Sequence, residues 1–159
     1  MLRDKQGKFV LGTKDHYPDN IVRLVGGGIE DEENPRLGAV RELNEELGIK
    51  IEAKNLKELA VIRPTIEIEA GEFAQKYPDP IKFETFLYFY QLDTETLKPS
   101  DDIDGLVHLT QPQYEQLIEN YLELSEEIHP KLGFSWSDYG KYYSFVHDIA
   151  LQEAKTLGF

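Results

Sequence analysis

A glycine turn, an acidic loop and a helix with two marked ends follow one another in residues 26–49. Asn34 is a favourable N-cap for that helix, Pro35 suits its first turn, and Gly48 suits the left-handed conformation that ends a helix. The sequence therefore predicts a helix over Pro35–Leu47. This stretch constrains the fold most, because it fixes both ends of one helix from local chemistry alone.

Two sets of side chains divide the surface of this helix. Four aliphatic residues recur at helical spacing and are expected to lie against a sheet or another helix: Leu37, Val40, Leu43 and Leu47. Glu42, Glu45 and Glu46 lie at i, i+3 and i+4, which predicts that their carboxylates gather on a different face. Like charges at this spacing destabilise a helix by about 0.2–0.5 kcal/mol per pair. A bound divalent cation would reverse the sign of that effect.

The residues around the glutamates favour a metal site for phosphate chemistry. Carboxylate oxygens are the ligands that Mg²⁺ and Mn²⁺ prefer, and Mg²⁺ keeps positions for water and substrate phosphates. The glycines at 26–28 let the backbone approach closely, and a turn carbonyl there is a further oxygen donor. Arg41 lies one turn before Glu45, where it can hold that carboxylate or reach back to Glu33.

These residues resemble the Nudix box, G-x5-E-x7-R-E-U-x-E-E-x-G-U, in which U is a bulky aliphatic residue. Every specified position is matched with its spacing kept: Gly27, Glu33, Arg41, Glu42, Leu43, Glu45, Glu46, Gly48 and Ile49. A match over this many positions is far more specific than a short motif. The resemblance implies an α/β fold, an α/β/α sandwich around a mixed, curved sheet. It also implies hydrolysis of a nucleoside diphosphate derivative by water attack on phosphorus, with Mg²⁺ or Mn²⁺ as cofactor.

The roles of the family, carried onto this sequence, imply which residues bind metal and act in catalysis. Glu42, Glu45 and Glu46 would bind metal, and the backbone carbonyl of Gly26 would complete the set of ligands. Arg41 would orient the glutamates.

Two further carboxylates have secondary roles in this resemblance. Glu33 would be a supporting or secondary metal residue. Some members of the family place a catalytic carboxylate just before the strand that residues 106–109 resemble, which points to Asp102. The general base is left open, because the box does not identify it in every member.

Composition excludes several classes of partner and site. The chain has 30 acidic and 17 basic residues and a net charge of −13, which argues against a nucleic-acid-binding surface. It has no cysteine, so a disulfide framework, a thiol nucleophile and a cysteine zinc site are excluded. No apolar run reaches membrane-spanning length and the N-terminus lacks a signal-peptide pattern, so no membrane association and a cytoplasmic location are expected.

Outside the box the pattern predicts further strands, one domain over residues 1–159, and a helical extension over 126–159. Strands are expected after a turn at 5–7 and over 21–25, 56–62, 81–92 and 106–109. The resemblance, which covers about residues 5–125, places a hydrophobic strand ahead of the first turn. Only Met1 and Leu2 stand there, so that strand is expected to be truncated, misassigned or supplied by a partner chain.

Two helices are predicted near the C-terminus. One covers Gln111–Leu124 with Thr110 as N-cap, and its apolar face comprises Tyr114, Leu117, Ile118, Tyr121 and Leu122. The last begins at Ser137, and the packing residues expected on it are Tyr142, Phe145, Val146, Ile149 and Leu157. Core packing is favoured for this aromatic tail, and a cover over a nucleobase and a homodimer contact are the alternatives.

Some interpretations stay open at the level of sequence. Arg23 either contacts a phosphate or base at the rim of a pocket or is an exposed strand arginine. The aromatic strand over 81–92 is interpreted as sheet core in preference to a base-stacking platform. A Nudix-like binding or regulatory module is the alternative to an enzyme. Loss of box glutamates would favour that module, and none is lost. No substrate is assigned within the nucleoside diphosphate derivatives.

Overall fold

A computed structural model describes residues 1–18, 21–66, 80–82, 84–93, 96–100, 103–128 and 134–159. The strands are β1 (Leu2–Arg3), β2 (Phe9–Thr13), β3 (Lys57–Ile62), β4 (Thr65–Ile66), β5 (Ile81–Lys82), β6 (Thr85–Gln91) and β7 (Gly105–Leu109). The α-helices are α1 (Pro35–Leu47), α2 (Gln111–Leu122) and α3 (Trp136–Thr156), and Ala53–Asn55 is a short 3-10 helix.

The main sheet is mixed and has the strand order β3-β6-β1-β2-β7. β1 pairs parallel with β6, and the other neighbours in this sheet are antiparallel. The register of β3 against β6 shifts between Glu58 and Ala60, an irregularity that bends a strand. β4 and β5 form a separate antiparallel pair.

Alternate residues of the strands pack into two cores, one on each face of the main sheet. On β6, Phe89 belongs to the core under α2 and α3, whereas Tyr88 and Tyr90 belong to the core that contains Leu43 and Leu47 of α1. Because side chains of a strand point alternately to opposite faces, one strand serves both cores. The predicted α/β/α sandwich with an additional C-terminal helix is confirmed.

The sequence predicted some strands well and others poorly. β2, β3 and β7 match their predictions closely. The first strand, expected to be truncated, misassigned or supplied by a partner chain, is present in this chain as β1, which is short, with two residues at the centre of the sheet. Residues 21–25 are not a strand, since only Arg23 makes a bridge, with Gly12. The single strand predicted over 81–92 is divided into β5 and β6.

Helix α1 has the predicted bounds, and its ends are capped as expected. The Asn34 side chain accepts a hydrogen bond from the Arg36 amide, and Gly48 has a φ of 67°. Two expectations about its faces are wrong. Leu37 is 55% exposed, whereas Glu46 is 2% exposed. Leu43 and Leu47 are buried, so the predicted stripe is confirmed at these two residues. The inward face of α1 also includes Glu46, while Leu37 turns to solvent.

Helices α2 and α3 cover the opposite face of the sheet. Tyr114, Leu117 and Tyr121 of α2 are buried, while Leu122 is 57% exposed, so the predicted face is too wide. Helix α2 ends two residues before the predicted Leu124, and its Thr110 capping box is present.

Helix α3 begins at Trp136, one residue before the expected start, with Ser135 as N-cap. Val146 is buried as expected, but Phe145 and Leu157 are about half exposed, which corrects their predicted packing. Trp136 and Tyr139 are buried, so core packing of the aromatic tail is confirmed at these residues. No helix in the described ranges is both long enough and apolar enough to cross a membrane.

Candidate active site

Arg41 lies at the centre of the acidic surface of α1. Its guanidinium donates two hydrogen bonds to the Glu33 carboxylate, at 3.1 and 2.9 Å, and one to the Gly28 carbonyl at 2.8 Å. Its Nη1 donates to Glu42 at 2.8 Å and to Glu45 at 2.9 Å. The hydrogen bonds from Arg41 hold the pKa of Glu33 below its usual range. Both contacts predicted for Arg41, with Glu45 and with Glu33, are present.

Glu46 is the buried member of the acidic set. Its Oε2 accepts a hydrogen bond from the Gly26 amide at 2.7 Å. Burial raises the pKa of Glu46 to about 7, with a further contribution from the negative charge of Glu42, while the Gly26 amide opposes the rise. Burial therefore disfavours the charged form of this carboxylate, and a cation placed beside it would restore that form.

The glycine loop, residues 26–28, touches the acidic helix closely. Gly26 has a φ of 141°, a conformation that favours glycine over any residue with a Cβ. A Cβ on Gly27 would collide with the carboxylate of Glu42. The absence of a side chain at Gly27 lets the loop lie against Glu42 without moving its carboxylate.

The three box glutamates have the right chemistry for a metal but are not gathered around one point. Among the residues that the structure describes, no three acidic or histidine side chains are arranged to hold a metal ion. Arg41 binds Glu42 and Glu45, while Glu46 turns to the loop amide. The donors fit Mg²⁺ or Mn²⁺ because they are carboxylate oxygens, one of them buried.

A cavity of about 370 Å³ lies between the glycine loop, α1 and β6. Glu42 lines it beside the glycine loop, and Phe86, Tyr88 and Tyr90 contribute to its opposite side. The guanidinium of Arg36 lies 5.0 Å from the centre of the Tyr88 ring. The interpretation of β6 as sheet core is therefore incomplete, since one face of this strand also lines the cavity.

Arg23 lies behind the glycine loop, away from the walls of this cavity. Its Nη2 donates to the Gly26 carbonyl at 3.1 Å, and its Nη1 donates to the Tyr143 hydroxyl at 3.4 Å. The guanidinium also lies 5.6 Å from the centre of the Tyr143 ring. The structure thus gives Arg23 partners within the protein. The two alternatives from the sequence were a contact with a phosphate or base at the rim of a pocket and an exposed strand arginine.

The remaining predicted site residue, Asp102, lies outside the described residues. The contacts of Tyr143 and Tyr88 were not predicted, and the only sequence signal for them was the aromatic enrichment of the tail and of β6. Periodicity cannot reveal such contacts, because the partners lie far apart in the chain.

A family model of the NUDIX domain matches residues 1–131. The chain belongs to the Nudix family. Its Nudix box therefore consists of the glycine loop, the acidic loop and α1, and helix α3 lies beyond the matched residues. No curated protein matches the chain in sequence.

Solved structures resemble this Nudix chain at low sequence identity. The MutT protein of Methanosarcina mazei Go1 is 14% identical with a TM-score of 0.54, over 98% of this chain and 89% of that one. An Ap4A hydrolase of C. elegans, solved as a binary complex, is 16% identical with a TM-score of 0.52, over 99% and 94%. A MutT/nudix family protein from Enterococcus faecalis is 22% identical with a TM-score of 0.48. That match covers 64% of this chain but only 36% of the other protein's length.

Proposed function

We propose that this Nudix protein hydrolyses the pyrophosphate linkage of a nucleoside diphosphate derivative in a reaction that requires Mg²⁺ or Mn²⁺. One observation carries the proposal: Glu42, a member of the complete Nudix box, lines a largely apolar cavity beside the glycine loop. The cavity volume of about 370 Å³ is in the range of small-molecule sites. The products would be a nucleoside monophosphate and a phosphorylated remainder.

The proposed metal site consists of Glu42, Glu45, Glu46 and the carbonyl of Gly26, with Glu33 in a secondary role. When bound, the metal would neutralise the diphosphate, lower the pKa of a bound water and stabilise the oxygen that leaves.

Other residues of the chain hold the site and the substrate. Arg41 fixes the rotamers of Glu33, Glu42 and Glu45 through its hydrogen bonds, which are short and charge-assisted. The aromatic side chains on the β6 side of the cavity offer a flat apolar surface on which a nucleobase can stack. We propose Asp102 as a catalytic carboxylate outside the box, as the resemblance to the family implies.

The test is a panel of substrates assayed with Mg²⁺, with Mn²⁺ and with a chelator. The panel contains ADP-ribose, nucleoside diphosphate sugars, dinucleoside polyphosphates including Ap4A, and oxidised nucleoside triphosphates. We expect metal-dependent release of nucleoside monophosphate from one class. Glu45→Gln should lower kcat by about 100-fold or more. Glu119→Gln, an exposed glutamate on α2, is the matched control and should keep wild-type activity. Asp102→Asn tests the proposed catalytic role of Asp102.

The opposite results have distinct meanings. Full activity in Glu45→Gln would contradict the proposed metal site. A nucleotide-binding or regulatory module without turnover is the second candidate, favoured by the hydrogen bonds that hold Glu42 and Glu45 on Arg41. Saturable binding of one panel compound by calorimetry, with no product from any compound, would support that module instead.

A further inference from the structure

Helix α3 contacts the segment that leads into the glycine loop, although this helix lies beyond the residues matched by the family model. The Tyr143 ring lies under the guanidinium of Arg23, 5.6 Å from ring centre to Cζ, and its hydroxyl accepts a hydrogen bond at 3.4 Å. The Tyr139 ring packs against the Tyr143 ring, with ring centres 4.3 Å apart. Arg23 is therefore held by an aromatic surface that α3 provides.

The other end of Arg23 reaches the site. Its Nη2 donates to the Gly26 carbonyl at 3.1 Å, and the Gly26 amide donates to Glu46 at 2.7 Å. Both backbone polar groups of this glycine are thus held by side chains. Gly26 has a φ of 141°, which glycine adopts easily because it has no Cβ.

The backbone that carries Arg23 is also fixed. Arg23 and Gly12 exchange two backbone hydrogen bonds of 2.8 Å, which join this residue to β2. One residue earlier, the Val22 carbonyl accepts a hydrogen bond from the buried hydroxyl of Tyr121 at 2.8 Å. The ring of Tyr121 stacks near that of Tyr143, with centres 6.2 Å apart. The backbone of Arg23 is therefore anchored, and the Tyr143 ring and hydroxyl contact its guanidinium.

We propose that Tyr143 is a positioning residue for the active site, acting through Arg23 to fix the Gly26 peptide against Glu46. Its role is to hold the loop in one conformation, since it does not line the cavity. The part of this inference that concerns catalysis rests on the proposed function. The part that concerns the conformation of the loop does not.

The first test measures hydrogen exchange of the Gly26 amide by NMR in metal-free protein. Tyr143→Leu removes the ring and should accelerate exchange by about tenfold. Tyr143→Phe keeps the ring under the guanidinium and should retain most of the protection. Val146→Ala truncates a buried apolar side chain of α3, which makes none of the hydrogen bonds that hold Arg23. It controls for loss of stability and should leave Gly26 exchange unchanged after correction for global unfolding.

The second test measures steady-state kinetics on whichever panel substrate is hydrolysed. Tyr143→Leu should lower kcat about tenfold with KM unchanged, and Tyr143→Phe should restore the rate. Unchanged Gly26 exchange in Tyr143→Leu, or an unprotected Gly26 amide in the wild type, would overturn the inference. Wild-type inactivity across the panel would instead count against the proposed function, and the exchange measurement would still decide the role of Tyr143.

Discussion

One face of the sheet carries many charged side chains, whereas the other carries mainly neutral aromatic ones. On the α1 face, one arginine contacts the carboxylates of Glu30, Glu33, Glu42 and Glu45, and Glu46 lies buried nearby. On the α2–α3 face, the contacts are made mainly by neutral aromatic rings. There the His147 imidazole is buried between the hydroxyls of two tyrosines, Tyr114 at 2.8 Å and Tyr121 at 3.4 Å.

The difference separates a face suited to binding from a face suited to stability. Excess negative charge on α1 is expected to lower the stability of the protein, and a cation bound there would remove that penalty. Neutral rings with satisfied hydroxyls contribute to stability without any ligand. We therefore expect substitutions within the acidic set of α1 and at Arg41 to respond to Mg²⁺, and substitutions elsewhere, including those on the α2–α3 face, not to respond.

The largest effect on stability is expected at Gly140, where α3 crosses α2. A Cβ at this position would collide with the backbone carbonyl of Tyr121, so Gly140→Ala must push the helices apart. We expect it to lower the free energy of unfolding by about 3 kcal/mol or more, measured in urea. Gly28→Ala is the matched control on the α1 face, where a Cβ meets nothing within 4 Å. It should change stability by less than about 0.5 kcal/mol.

Arg41→Ala tests whether the response of stability to metal belongs to the acidic set of α1. Removing the guanidinium leaves its carboxylates to repel one another, so the Tm should fall in chelator and recover when Mg²⁺ is added. Activity should fall about 10–100-fold, because Arg41 orients the glutamates. Arg36→Ala, on the same helix, loses hydrogen bonds to the carbonyls of Leu56 and Ala53 instead. Mg²⁺ should not restore its Tm, and equal recovery in both variants would contradict the division.

A pH effect is expected on the α2–α3 face. Burial lowers the pKa of His147 from 6.5 to about 3, and the charge of Arg23 acts in the same direction. Between pH 6.5 and about pH 3 the imidazole of His147 is protonated in the unfolded chain but neutral in the folded protein. The free energy of unfolding therefore falls as the pH decreases through this range. The slope from this group should be about 1.4 kcal/mol per pH unit. His147→Gln should remove that part of the slope in urea unfolding at several pH values. Identical slopes would show that His147 does not contribute.

The smallest effect is expected at Leu37, on the outer surface of α1. Because this side chain is 55% exposed, Leu37→Ala should change the free energy of unfolding by less than about 0.5 kcal/mol. Leu47→Ala, fully buried on the same helix, should lower it by about 2–5 kcal/mol. A large effect at Leu37 that depends on protein concentration would indicate that a second copy covers it.

Local chemistry made the ends of the helices predictable from sequence. Asn34 and Gly48 fix α1, and Thr110 fixes the start of α2, because capping involves only residues a few positions apart. The spacing of the Nudix box likewise needs no knowledge of the fold. The sequence thus identified the acidic residues and the helix that carries them.

The direction in which these residues face was not predictable. The glutamates were expected on a face apart from the apolar stripe, yet Glu46 is buried and Leu37 is exposed. Periodicity defines an apolar stripe, but how a helix rotates against the sheet depends on what packs against it. Here the glycine loop packs against Glu42 and Glu46, which brings both carboxylates inward.

By itself the sequence determined the family, the bounds of α1 and the set of candidate ligands, since each depends on residue types at short spacings. Only the tertiary structure decided that Arg23 holds the Gly26 carbonyl. It also decided that Tyr143, 120 residues further along the chain, supports Arg23. Such contacts arise because the sheet brings distant segments together, and no local pattern in the chain encodes them.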